Sequence, residues 1–154
     1  MDALLTLFAS LTETLFTLTE LAKRKTTAVR RNDLMELDQI LKDEQAQALV
    51  LRGLDQKRIA LLSELGLQDT PLSALPSKAP ADLQQKARAT VEALRHAYEI
   101  YNSAAVTARN TLECNLHEIE RFLAASGADP AAGSQGYRPA DVDAPAPMKT
   151  DFRA

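Results

Sequence analysis

The sequence predicts an all-α protein, an elongated antiparallel three-helix bundle or coiled coil followed by a disordered C-terminal tail. Apolar residues recur at alternating steps of four and three over long stretches, a spacing that lays one stripe along a slightly underwound helix. Leu, Ala, Glu, Gln, Arg and Lys dominate residues 1–125 while strand signals are missing, which favours helix throughout. Beyond Ser126-Gly127 the chain turns to Pro, Gly and Ala with neither Leu nor Ile. A segment of that kind buries too little apolar surface to offset its ordering entropy. The expected organisation is a helical body over 1–125 and a flexible tail over 126–154.

The first helix is expected at about 3–30, where Leu4, Phe8, Leu11, Leu15, Leu18, Ala22, Lys25 and Val29 form the stripe. Asn32 or Asp33 then offers a side-chain acceptor to free amides, and Asp33-x-x-Glu36 has capping-box spacing. A second helix is therefore expected at about 33–65, as a separate element or after a kink. Its stripe runs Leu34, Leu37, Leu41, Glu44, Ala48, Leu51, Asp55, Arg58, Leu62, Leu65 and stops at Gly66, the natural C-cap. Glu44 and Arg58 lie on its centre line, where a charge must be paired, exposed or turned toward a partner. Pro71, Pro76 and Pro80 make 66–80 a linker able to reverse the chain. The third helix, about 81–125, carries the longest seam: Ala87, Val91, Leu94, Tyr98, Tyr101, Ala105, Ala108, Leu112, Asn115, Ile119, Phe122. Such a helix of about 45 residues would run about 70 Å.

Composition excludes several classes of function. A formal charge of −3 over 154 residues gives no field to hold a polyanion, so nucleic acid is not an expected partner. Lys23-Arg24-Lys25 and Arg30-Arg31 fit a helix C-terminus facing its own dipole. A lone cysteine, Cys114, gives no intramolecular disulfide framework and fits a reducing cytoplasm. Met1 to Phe8 contains an early acid and no basic run, unlike a signal peptide. No stretch reaches about eighteen uninterrupted apolar residues, so membrane insertion is not expected.

No P-loop, dinucleotide-binding turn, zinc-type cysteine pair or nucleophile elbow occurs. Cys114, His117, Glu118 and Arg121 share one helix face, but no second ligand set complements them, and His96 lies about 30 Å up the same helix by rise. No enzyme activity, metal or cofactor is expected. Asn115 is the more informative position, because a lone Asn on a seam fixes register and partner number. Tyr98 and Tyr101 need an outlet for their hydroxyls, which suggests a groove edge, and Ala104, Ala105 and Ala108 would let another helix approach closely.

Arg31-Asn32-Asp33-Leu34, Leu37, Ile40, Glu44, Leu51, Leu54 and Arg58-Ile-Ala-Leu-Leu resemble the middle of the FlgN-type flagellar export chaperones. So do the order of parts, the Arg109-Asn110-Thr-Leu112 and Asn115-Leu116 pattern, Gly136-Tyr137 in the tail, and the ending Asp151-Phe-Arg-Ala154. Arg138-Pro139 departs from the small residues that often follow the tail Tyr. The resemblance implies a cytoplasmic chaperone of the hook-associated proteins of the hook-filament junction. It implies sequestration of their terminal helix, for which Tyr101, Ala105, Ala108, Leu112, Ile119 and Phe122 are the expected contacts, and docking to the cytoplasmic domain of the export gate through Tyr137. Two alternatives share the same seam: a structural coiled-coil homodimer, and a helical adaptor of another secretion or regulatory system.

Overall fold

The computed structural model describes residues 1–127. Among them are four α-helices, α1 (Asp2–Arg31), α2 (Leu34–Glu64), α3 (Leu75–Lys78) and α4 (Gln84–Ala125), one 3-10 turn at Leu72–Ala74, and no strand. The chain divides into two units, Met1–Leu116 and His117–Ala154. The described part of the second is the end of α4 with Ser126 and Gly127.

α1 and α2 are separate helices, and the break between them is built from two caps. Asn32 takes a left-handed conformation (φ 53°), donating its backbone N–H to Val29 O while the Asp33 N–H reaches Ala28 O at 2.9 Å. This Schellman-type ending satisfies carbonyls that the last turn would otherwise leave bare. Asp33 then caps α2 by accepting from the Glu36 N–H at 3.0 Å. Only half of the expected capping box forms. The Glu36 side chain turns instead to Arg24, accepting from its Nη2 at 2.6 Å and its Nε at 3.0 Å. α2 closes in the same manner at Gly66 (φ 66°), with Leu67 N–H on Leu62 O and Gly66 N–H on Ser63 O.

Within the first unit α1 is the central element. Leu4, Leu5, Phe8, Leu11 and Leu15 share a core with Leu62 of α2, Leu75 and Ala79 of the connection, and Ala87, Val91, Leu94 and Ala97 of α4. A second cluster, Leu18, Leu21, Ala28 and Ile40, is formed by α1 and α2, with Tyr101 packed against it from α4. α2 therefore runs antiparallel to α1. α4 runs parallel to α1, because Lys86 bonds Asp2 at 3.1 Å and Asn115 bonds Asn32 at 3.4 Å.

The linker is more ordered than its prolines suggest. Pro71 and Pro76 each stand at the start of a short helical turn, where a missing amide costs nothing. Leu75, Pro76 and Ala79 are buried, so the segment caps the end of the core. Ala81–Leu83 form a turn, and the last long helix begins at Gln84.

The α4 seam also shifts. Ala97 is fully buried while Tyr98 is 59 % exposed, since a straight α-helix drifts about 20° per heptad from a 3.5-residue repeat. α1 meets, by length and composition, the threshold for crossing a bilayer, yet 56 % of its most apolar stretch is buried inside the fold. That stretch is apolar on average rather than unbroken. The hydroxyls of Thr12, Thr14, Thr19 and Thr26 donate to the carbonyls of Phe8, Ser10, Leu15 and Ala22, which lets Thr14, Thr19 and Thr26 enter the core without an unsatisfied polar atom.

Candidate functional site

α4 contributes Ala87, Val91, Leu94 and Ala97 to the first core, but beyond Tyr101 its next buried residue is Ala108. In this stretch a groove of about 450 Å³ opens, walled by α1, α2 and α4. α1 lends Leu18, Ala22 and Lys25; α2 lends Glu44, Ala48 and Leu51; α4 lends Tyr101, Ala105, Ala108, Arg109, Leu112 and Glu113. Small side chains line it on every side: Ala22, Ala48, Ala105 and Ala108 come from all three long helices, and the α4 backbone keeps further from α1 and α2 than those two keep from each other.

Two charges meet in this groove. Lys25 and Glu44 form a tight ion pair between α1 and α2, with side chains 16 % and 24 % exposed. Glu44 and Arg58, the charges on the α2 stripe, are thus both paired, Arg58 with Asp55 at 2.8 Å. Lys23 and Arg24 are paired too, with Glu20 and Glu36, which leaves Arg30 and Arg31 in the last turn of α1 as the dipole-facing pair. Lys42 is held above the ordinary lysine range by its hydrogen bond from Nζ to Asp38 on the exposed surface of α2.

The groove gathers Tyr101, Ala105, Ala108 and Leu112. Ile119 and Phe122 fall in the second unit, where both are exposed. Tyr137 lies outside the described residues. Asn115 does not line the groove; its side-chain amide donates to Asn32 Oδ1. Leu18, Ala22, Lys25, Ala48 and Leu51 are lining residues that a reading of α4 alone does not find. The signal for them was present in part, since Lys25 and Glu44 each interrupt an apolar stripe.

A second depression of about 590 Å³ lies between α1 and α4, lined by Lys23, Thr26, Arg30, His96, Ser103 and Thr107 among others. Glu99, Ile100 and Ala104 complete its lining, and more of its exposed wall is apolar than polar. Cys114 is exposed and free, and no group of three or more His, Cys, Asp or Glu able to hold a metal occurs among the described residues.

The chain matches the FlgN protein family over residues 1–141. It belongs to that family. No curated protein and no solved structure gives a significant match. FlgN membership and the helical fold together support a flagellar chaperone or adaptor role.

Proposed function

We propose that this FlgN-family protein is a cytoplasmic export chaperone that covers the terminal helix of hook-filament junction proteins, prevents their premature assembly and delivers them to the flagellar type III export gate. The observation that carries the reading is the groove between α2 and α4, which collects Tyr101, Ala105, Ala108 and Leu112 beside apolar residues of α1 and α2. A client helix laid there would bury its apolar face, the face by which it would otherwise self-assemble. The same reading takes the exposed Ile119 and Phe122 as further contacts. Delivery is assigned to Tyr137 on the family resemblance, since an aromatic side chain can bury in a pocket and release when the cost of ordering offsets much of the contact energy.

The test is capture of a purified hook-associated protein by the full chain. Leu112→Asp, at a side chain 36 % exposed, is expected to abolish capture while leaving the helical circular dichroism unchanged. Undiminished capture by that variant overturns the site. Tyr137→Ala is expected to keep capture and weaken binding to the gate's cytoplasmic domain. A stable homodimer in sedimentation that Leu112→Asp dissociates would favour self-pairing instead.

A further inference from the structure

We propose that α4 from Tyr101 to Leu116 is a hinged arm that swings outward to admit a client helix, and that the Asn115–Asn32 hydrogen bond is the latch holding it shut. This rests on the reading of the groove as the client site and adds the way in.

The two ends of this helix are held very differently. At its start Ala87, Val91, Leu94 and Ala97 are buried in the first core, and Lys86 bonds Asp2. The α4 backbone keeps further from α1 and α2 than those two keep from each other, so side chains alone fasten it. Beyond Ala97 the fastenings are few. Tyr101 is only partly buried against the two clusters, and Ala108 is the one buried residue. Among the described residues, Asn115 to Asn32 is the only hydrogen bond or ion pair joining this half of α4 to α1 or α2. At 3.4 Å and exposed to water it is a weak one.

The floor of the groove is apolar and already covered. Leu18, Ala22 and Ala108 line it, yet they are 6 %, 3 % and 3 % exposed. A client resting on the rim reaches Ala48 and Leu112 but not that floor. The groove of about 450 Å³ admits side chains, whereas two turns of a helix about 10–12 Å across fill roughly 1,000 Å³. An outward swing hinged between Ala97 and Tyr101 opens the floor to the client's apolar face, so the surface the arm uncovers is buried again by the client. Since the open form binds and the closed form does not, affinity scales with the fraction open, and freeing the latch speeds capture.

A clamp across the closed arm tests this. Arg30 of α1 and Cys114 of α4 are both exposed and line one depression of about 360 Å³, and neither lines the groove. In the full-length Arg30→Cys variant, a bis-maleimide with an internal disulfide joins the two thiols and is opened again by reduction. Binding of a hook-associated protein's terminal helix is measured before clamping, clamped and after reduction, with circular dichroism following the fold. Clamping is expected to weaken binding about tenfold or more, and reduction to restore it. The unmodified chain treated with the same reagent, which reaches Cys114 alone, is expected to bind normally. Asn115→Ala is expected to associate about two- to fivefold faster, the worth of one exposed hydrogen bond. Undiminished binding by the clamped protein, a loss that reduction does not reverse, or an equal loss in the treated unmodified chain overturns the arm. The groove reading still stands in those cases if Leu112→Asp abolishes capture. An unchanged association rate in Asn115→Ala overturns the latch. Capture that survives Leu112→Asp overturns the groove reading and the arm with it.

Discussion

The side-chain amide of Asn115 donates to Asn32 Oδ1 at 3.4 Å, joining the distal stretch of α4 to the residue that ends α1. These residues are 83 positions apart, and Lys86 and Asp2, which pair at the start of the two helices, are 84 apart. The register between α1 and α4 is therefore held almost unchanged along α1. Asn32 is doubly committed, since its left-handed backbone also terminates α1.

Backbone and side chain at Asn32 separate experimentally. Asn32→Gly is expected to change stability by a few tenths of a kcal/mol, because Gly adopts positive φ freely. Asn32→Val is expected to cost about 1–2 kcal/mol, the penalty of a left-handed β-branched residue. Thermal unfolding of both variants measures the difference; equal melting temperatures would refute the capping role.

Two glycines should respond in opposite directions. A Cβ at Gly53 within α2 would meet nothing within 4 Å, so Gly53→Ala is expected to stabilise by about 0.5–1 kcal/mol through helix propensity. At Gly66 the space is equally open but φ is +66°, and Gly66→Ala is expected to destabilise by about 1 kcal/mol. Urea titration of each variant reads the sign directly.

Breaking the Lys25–Glu44 pair should cost more than removing it. Lys25→Met leaves Glu44 half-buried beside apolar neighbours and is expected to destabilise by about 1–3 kcal/mol. Lys25→Met/Glu44→Leu is expected to recover most of that loss. A double-mutant cycle by chemical denaturation checks it, and additive losses would show that the two charges do not depend on each other.

The two halves of α4 should differ in what they contribute to folding. Leu94 is buried in the first core, and Leu94→Ala is expected to cost about 2–4 kcal/mol. Leu112 is 36 % exposed, and Leu112→Ala is expected to cost under about 1 kcal/mol. Denaturation midpoints decide between this and a uniformly packed helix.

The long helices were legible because their signals are local. Stripes at helical spacing, Asp33 before Leu34 and Gly66 after the second stripe fix start and stop positions to within a few residues of those observed. The short turns at Leu72–Ala74 and Leu75–Lys78 were not legible, because proline was read as a breaker where it starts a helical turn. Tyr98 was misplaced for a geometric reason: a 3.5-residue seam drawn through a straight helix drifts off the contact line, and Ala97 takes the core position. The α4 side of the groove was foreshadowed by its alanines. The walls from α1 and α2 were not, since joining Lys25 to Glu44 requires the antiparallel register of two helices, which no single stripe records.

The unequal cores of the first unit have a mechanical consequence. One joins α1, α2, α4 and the connection, whereas the other is made by α1 and α2 with a single tyrosine from α4. Such a body behaves like a pair of tongs, rivetted at one end and only lightly propped at the other. Slow amide exchange should concentrate near Leu4 and Leu94, and amides around Ala48 and Ala108 should exchange faster in the free protein, slowing, on the proposed function, when a client helix seats. The carrier would then be at its stiffest when loaded, and release of cargo would return that lost freedom to the carrier itself.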